Sequence, residues 1–215
     1  VAPISPGNES LTWENTWTTN LALHFGFWNR LNVDLELYNK MTTDMLMNVP
    51  LSYAQSNGYG YIWDNVGTMV NRGVELNLSA TVLQTRDFSW SLNTNVGYNH
   101  NRLVELYGDV KEYELANTNT KLVVGHPVGE FYINRYAGVN PANGDALWYD
   151  KDGNLTNELR DEDKVLVGKN YHAPWQGGFG TNLSWKGLTL SAQFSWVAER
   201  WMINNDRYFL ESNGR

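Results

Sequence analysis

The stretch "GFGTNLSWKGLTLSAQFSW", residues 178–196, alternates in type on both sides of Lys186-Gly187. Phe179, Thr181, Leu183 and Trp185 share one parity before the turn. Leu188, Leu190, Ala192, Phe194 and Trp196 share another after it. The positions between are Gly, Asn, Ser, Thr and Gln. Period-2 alternation of this length predicts a β-hairpin with one apolar and one polar face. The fold turns on which solvent meets each face.

Two more hairpins of this kind lie upstream. Trp17, Thr19, Leu21, Leu23, Phe25 and Phe27 lead into a turn at Trp28-Asn29-Arg30. Leu31, Val33, Leu35 and Leu37 follow, opposite Asn32, Asp34 and Glu36. In the second, Val74, Leu76, Leu78, Ala80 and Val82 alternate with Glu75, Asn77, Ser79 and Thr81. After a turn within 84–87 come Phe88, Trp90, Leu92, Val96 and Tyr98. No segment carries a convincing helical period. "EFYINRYAGVN", residues 130–140, also reads as strand, but a lone crossing there would put later loops on the wrong side, so it is assigned to a loop.

Each alternating run is about 9–12 residues. That suits the roughly 9–11 residues a tilted strand needs to cross a bilayer and exceeds the usual globular strand of about 5–6. The turns within hairpins are short. The segments between and after them, about 39–71, 100–176 and 198–215, are long. Short turns on one side and long loops on the other match outer-membrane barrels. The polar face is mostly Ser, Asn, Thr and Gly, with Asp34, Glu36 and Glu75 as exceptions. An outer face bathed in bulk water usually carries more Lys, Glu and Arg. Aromatic residues gather toward the strand ends at Trp17, Phe27, Phe88, Trp90, Tyr98, Phe179, Trp185 and Trp196. Each short turn holds a basic residue, Arg30, Arg86 or Lys186, able to reach headgroups.

The fold class expected is therefore all-β: a segment of an antiparallel transmembrane β-barrel, about six strands in three hairpins, forming one barrel domain over 1–215. The residues expected to face lipid are Leu21, Leu23, Phe25, Leu35, Leu76, Leu78, Trp90, Leu92, Leu183, Trp185, Leu190, Phe194 and Trp196. Six strands do not close a barrel, since the small ones begin at about eight. An open sheet would leave bare edges in lipid, so the segment requires the rest of a barrel.

The totals fit this reading. The chain has 215 residues, no cysteine, 10 Trp, 12 Tyr and 19 Gly, with a net charge of −7. An acidic chain is a poor nucleic-acid surface. Mean hydropathy is −0.47, and no run reaches the roughly 18 apolar residues of a membrane helix. Transmembrane strands escape such scans, because only alternate residues meet lipid. The opening "VAPISPGNES" lacks the basic and apolar regions of a signal peptide.

Several blocks resemble the SusC/RagA family of TonB-dependent outer-membrane transporters of Bacteroidetes. The first has an N-x-x-L-x-W-E opening at Asn8, Leu11, Trp13 and Glu14. The second, N-x-G-x-x-x-N-x-G-x-E, falls on Asn65, Gly67, Asn71, Gly73 and Glu75. "VGHPVGEFYINRYAGVNPANGDALWYDKDGN" is similar to a family loop, and "LSWKGLTLSAQFSW" to a family hairpin. The resemblance implies a barrel of about 22 strands with an N-terminal plug. It implies a SusD-like surface lipoprotein as partner, TonB acting through a plug outside these residues, and import of oligosaccharides or peptides. These residues would be part of the C-terminal half of the barrel, unable to transport alone. The family offers no binding residue that transfers position by position.

Loop aromatics Tyr132, Tyr136, Trp148, Tyr149 and Trp175 could stack on a sugar or grip a peptide, or pack the loop upon itself or a partner. "DKDGN" invites a calcium reading through Asp150, Asp152 and Asn154, with Asp161 or Asp163. However, Gly153 falls at position 4 rather than 6 of a calcium-loop template. An Asx/Gly turn is the plainer reading. His24, His100, His126 and His172 lack metal-ligand spacing, and Asp161-Glu162-Asp163 reads as solvated charge. No catalytic motif appears, so no enzymatic activity and no cofactor are expected. Two alternatives are a soluble all-β carbohydrate-binding module and a secreted β-rich glycoside hydrolase. The first requires Leu21, Leu23, Leu76, Leu78, Leu190 and Phe194 to form a closed core. The second requires two carboxylates about 5–10 Å apart in a cleft.

Overall fold

The computed structural model describes residues 6–51, 58–115, 118–204, 206 and 210. The parts of the expected loops at 52–57, 116–117, 205, 207–209 and 211–215 lie outside the described residues. Along the chain, β1 (Asn15–Phe27) and β2 (Leu31–Thr43) form a hairpin. A smaller one follows, β3 (Leu46–Pro50) with β4 (Tyr61–Asn65). The longest is β5 (Thr68–Gln84) with β6 (Phe88–Glu105). Loop strands follow: β7 (Glu112–Leu115), β8 (Thr120–Val123), β9 (Glu130–Ile133), β10 (Arg135–Val139), β11 (Ala146–Tyr149), β12 (Leu155–Thr156) and β13 (Val165–Asn170). A 3-10 turn at Asp161–Asp163 precedes β13. The last hairpin is β14 (Trp175–Trp185) with β15 (Leu188–Ala198).

The three predicted hairpins join in one antiparallel sheet of order β1-β2-β5-β6-β14-β15, in which each strand pairs with its sequence neighbour in the set. The segment 130–140 enters two loop sheets, as β9 and β10, and not this one. The turns match their sequences. Trp28 and Asn29 have φ of 53° and 52°, and Arg30 N–H donates to the Phe27 carbonyl at 3.0 Å. Lys186 and Gly187 have φ of 46° and 88°. Two positive φ values in the turn suit the right-handed twist of the flanking strands.

Register puts the apolar positions of all six strands on one face. Reading across, Phe25 aligns with Val33, Leu78, Thr94, Phe179 and Phe194. All thirteen residues expected to meet lipid share this face, and none of them is buried within the chain. Leu21 is 55% exposed, Leu190 62% and Phe194 54%. The closed core needed by the carbohydrate-binding alternative is therefore not formed by these residues. The buried cluster lies elsewhere, among Met47, Leu103, Leu106 and Leu122 at the loop end.

Three details differ from the sequence reading. The strands are longer than the hydrophobic alternation: β2 continues to Thr43, β5 begins at Thr68 and β6 continues to Glu105. The long segments are correspondingly shorter, and Trp175 opens β14 instead of belonging to a loop. Beyond the apolar band the two faces no longer differ in type, with Met41, Val70, Arg72 and His100 on one and Lys40, Asn71, Asn101 and Leu103 on the other, so backbone pairing continues where alternation stops. Next, the ladder shifts between Thr81 and Leu83, and Leu83 pairs with Trp90. Leu83, and not Val82, takes the place in the apolar row, because one residue at a bulge is left unpaired. Finally, Phe179 is mid-strand, stacked on Phe194 with ring centres 4.8 Å apart.

Candidate functional site

The polar face carries a hollow of about 1120 Å³ at the loop end of the sheet. Its wall is built by alternation: Glu36, Tyr38 and Lys40 on β2, Asn71 and Glu75 on β5, Asn99 and Asn101 on β6, Gln176 on β14. Val128, Tyr171 and His172 close it from the loops. Arg200 joins after Glu199, with φ of 60°, ends the strand geometry of β15. A second hollow of about 390 Å³ continues from it past Asn77 and Asn95, sharing Glu75, Gln176 and Val197. Together they form a polar surface along the same side of the sheet.

Hydrogen bonds fix the upper wall. The Tyr38 hydroxyl donates to Asn99 Oδ1 at 2.9 Å, and Asn99 Nδ2 donates to Asn71 Oδ1 at 3.1 Å. Asn101 Nδ2 reaches the same Asn71 oxygen at 2.9 Å, while its own Oδ1 accepts Val128 N–H at 2.8 Å. The asparagine ladder thus pins the 128 loop to the sheet. Glu36 pairs in register with Glu75, two like charges side by side. Such a pair is unfavourable in isolation, and Asn20 Nδ2 partly offsets it by donating to Glu36 Oε1 at 2.9 Å. Toward the short turns, His24 pairs with Asp34 across β1 and β2. The hollow therefore offers amide donors and acceptors, two carboxylates, and the cations Lys40 and Arg200. Alternation revealed the polar face, but the hollow was missed because Tyr171, His172 and Arg200 reach it only through the fold.

None of the five aromatics expected to contact ligand, Tyr132, Tyr136, Trp148, Tyr149 and Trp175, lines the hollow. Tyr136 and Trp148 meet edge to face at 5.3 Å across β10 and β11. The Arg135 guanidinium lies 5.5 Å from the Tyr149 ring. Lys121 Nζ sits 4.6 Å from the Tyr132 ring. Trp175 departs from this group: it faces Tyr98 at 4.5 Å, on the apolar side of the sheet.

In the Asp150 loop, Asp150 Oδ1 accepts Asn154 N–H at 2.8 Å and Oδ2 accepts Asn154 Nδ2 at 3.1 Å. Gly153, at φ 90°, closes the turn with its N–H on the Asp150 carbonyl. These bonds to Asn154 hold the Asp150 carboxyl below its usual pKa. Among the described residues no three His, Asp or Glu side chains are grouped for a metal. The acidic run is only partly solvated. Asp161 meets Lys164 Nζ at 3.1 Å and Glu162 is 71% exposed, but Asp163 is buried and accepts Lys151 N–H at 3.2 Å. Lys164 Nζ also donates to Glu114 at 3.2 Å, and its hydrogen bonds to the Asp161 and Glu114 carboxylates raise its pKa.

The residues carrying the sequence blocks serve mainly as structural ties. Asn65 Nδ2 donates to the carbonyls of Thr12 and Asp44, while its Oδ1 accepts Thr12 N–H. Asn8 Nδ2 donates to the Trp63 carbonyl, and Glu14 accepts Leu46 N–H.

The family model described as "TonB dependent receptor-like, beta-barrel" matches residues 2–214. The TonB-dependent receptor SusC of Bacteroides thetaiotaomicron is 32% identical over 170 residues, covering 72% of this chain and 17% of that protein. The TonB-dependent receptor P39 of Formosa agariphila is 26% identical, over 91% of this chain and 23% of its own length. The RagAB peptide importer in its open-open state superposes with a TM-score of 0.90 at 37% identity, over 98% of this chain and 23% of that one. The chain thus spans about a fifth of the length of the curated relatives it matches.

Proposed function

This chain belongs to the TonB-dependent receptor β-barrel family, of the SusC/RagA type, and we propose that it forms part of the wall and outer loops of an outer-membrane transporter that imports peptides. The observation that carries this reading is the two-sided sheet. Its apolar face meets acyl chains, and its polar face lines the solute path. Along β6 the apolar row runs from Phe88 to Tyr98 without a charge. Those ten steps of about 3.3 Å, tilted by about 40°, span about 25 Å, the height of an outer-membrane apolar band. The members of this family are transporters and not enzymes, which sets the glycoside-hydrolase alternative aside.

Peptide is favoured over oligosaccharide by the lining of the hollow. Carboxylates and cations in one hollow, Glu36 and Glu75 with Lys40 and Arg200, suit a zwitterionic chain, and the asparagine ladder suits peptide amides. A sugar site would stack rings on free aromatic faces, yet the two tyrosines of the hollow are engaged, Tyr38 through its hydroxyl on Asn99 and Tyr171 against Phe131 and His172. The structural relative named a peptide importer supports the same cargo. A SusD-like lipoprotein would cover the loop end. There Leu11, Trp13 and Trp63 lie exposed along the β3-β4 hairpin, Trp13 by 88%. TonB would act through a plug outside these residues.

Uptake of labelled peptide and oligosaccharide libraries, compared between cells with and without the full-length gene, tests the cargo. Peptide uptake is expected to fall on deletion, while loss of oligosaccharide uptake with peptide uptake unchanged would overturn the assignment.

A further inference from the structure

On the apolar face, the row on β6 ends at Tyr98, and Tyr98 packs against Trp175 at 4.5 Å. The next two positions on this face are His100 and Arg102. Beside them on β5, Arg72 is the register partner of His100, and Val70 that of Arg102. Three basic side chains therefore sit together immediately past the apolar band, at the loop end. All three are exposed. Arg72 is held in place by its Nε, which donates to Asn39 Oδ1 at 2.8 Å on the same face. Among the described residues, none of the ion pairs involves Arg72, His100 or Arg102.

We propose that Arg72, His100 and Arg102 bind the phosphate of an outer-leaflet glycolipid headgroup, so that the barrel carries a lipid site on its outside wall. The inference rests on the proposal that the apolar face meets acyl chains. Height argues for it. At about 3.3 Å per residue and about 40° of tilt, His100 stands about 5 Å and Arg102 about 10 Å beyond Tyr98. The headgroup layer extends about 5–8 Å outside the hydrocarbon, which places His100 within it and Arg102 at its outer margin, where a long guanidinium side chain reaches back into it. Charge argues for it too. The chain carries a net charge of −7, yet this patch presents only cations to the side where no solute path runs. Guanidinium groups match phosphate oxygens through paired N–H donors. The Tyr98-Trp175 pair beneath supplies the aromatic surface on which the headgroup and upper acyl chain rest.

The test uses full-length transporter, wild type and Arg72→Gln/His100→Gln/Arg102→Gln, in phosphatidylcholine nanodiscs doped with lipid A or dephosphorylated lipid A. Lipid retained after detergent washing is counted by mass spectrometry. Wild type is expected to retain lipid A about tenfold better than the variant, and to show no preference for the dephosphorylated form. Free inorganic phosphate in the wash should not displace it, whereas displacement would reassign the site to a soluble anion. Equal retention by both proteins would overturn the proposal. Brominated acyl chains give the separate control. Quenching of tryptophan fluorescence reports that the apolar face meets lipid, so equal retention with quenching rejects the headgroup site alone. Absence of quenching rejects the lipid-facing reading beneath it.

Discussion

At the scale of single residues, parity along a strand decides which substitutions matter. Leu78 sits midway along the apolar row of β5, between Leu83 and Arg72, and Ser79 beside it points to the polar face. Leu78→Arg is expected to cost about 2–4 kcal/mol, the penalty for a cation near the bilayer midplane. Ser79→Arg should change stability by no more than about 0.5 kcal/mol. Denaturant unfolding of the full-length protein in lipid vesicles measures both, and equal costs would contradict the assignment of faces. Gly73 poses a steric test. A Cβ there would overlap the Tyr38 ring and the Tyr98 carbonyl, and the carbonyl cannot move without disturbing the β5-β6 ladder. Gly73→Ala should destabilise by about 1–3 kcal/mol through overpacking and weaken the Tyr38–Asn99 bond, whereas Gly97→Ala has ordinary contacts and should be tolerated. Thermal melting in detergent separates them. The sequence marked Asn65, Asn71 and Gly73 as notable but could not say what they do. Asn65 bonds to Thr12, 53 positions away, and Asn71 to Asn99, 28 away. Partners that far along the chain leave no local trace.

At the scale of elements, the three large hairpins were legible because a sheet apolar on one face and polar on the other imposes a period of two. Where that contrast ends, so does the signal: the upper parts of β5 and β6 carry Arg72 and His100 where leucines stood below, yet their pairing continues. Of the small loop sheets only β9 and β10, within 130–140, read as strand in the sequence; the other loop strands, of two to six residues, are too short to show a period. The Asp150 turn, by contrast, was legible from its Asp, Gly and Asn, and it carries a pH prediction. Asn154 bonds lower the Asp150 pKa in the folded loop. The carboxylate's contribution is therefore complete above the unfolded value of about 3.9 and is lost as pH falls through the lower folded value. Hydrogen exchange of peptides covering 149–156, followed from neutral pH into that range, should show the turn loosening only below about pH 4. Asp150→Asn should abolish that step while leaving the rest of the chain unchanged.

At the scale of the molecule, the sheet has two ends and no closure. Its order begins at β1 and finishes at β15, and every residue of β1 is exposed. About half of the backbone N–H and C=O groups on each terminal strand point away from the sheet. In hydrocarbon each unsatisfied group costs several kcal/mol, and two such edges together exceed the 5–15 kcal/mol typical of a folded domain. A single copy of these 215 residues should therefore fail to insert. Superposition of 98% of the chain on about a quarter of a complete transporter, at a TM-score of 0.90, gives the sheet the curvature of a slice of a larger wall. The expected outcome follows from those two facts. Refolded alone into lipid vesicles, residues 1–215 should remain accessible to protease along β1 and β15 or associate edge to edge into oligomers, whereas the full-length protein should protect both strands. A protected, monomeric 215-residue species would mean that the two edges find each other, which a six-stranded sheet of this width can do only by abandoning the register described here.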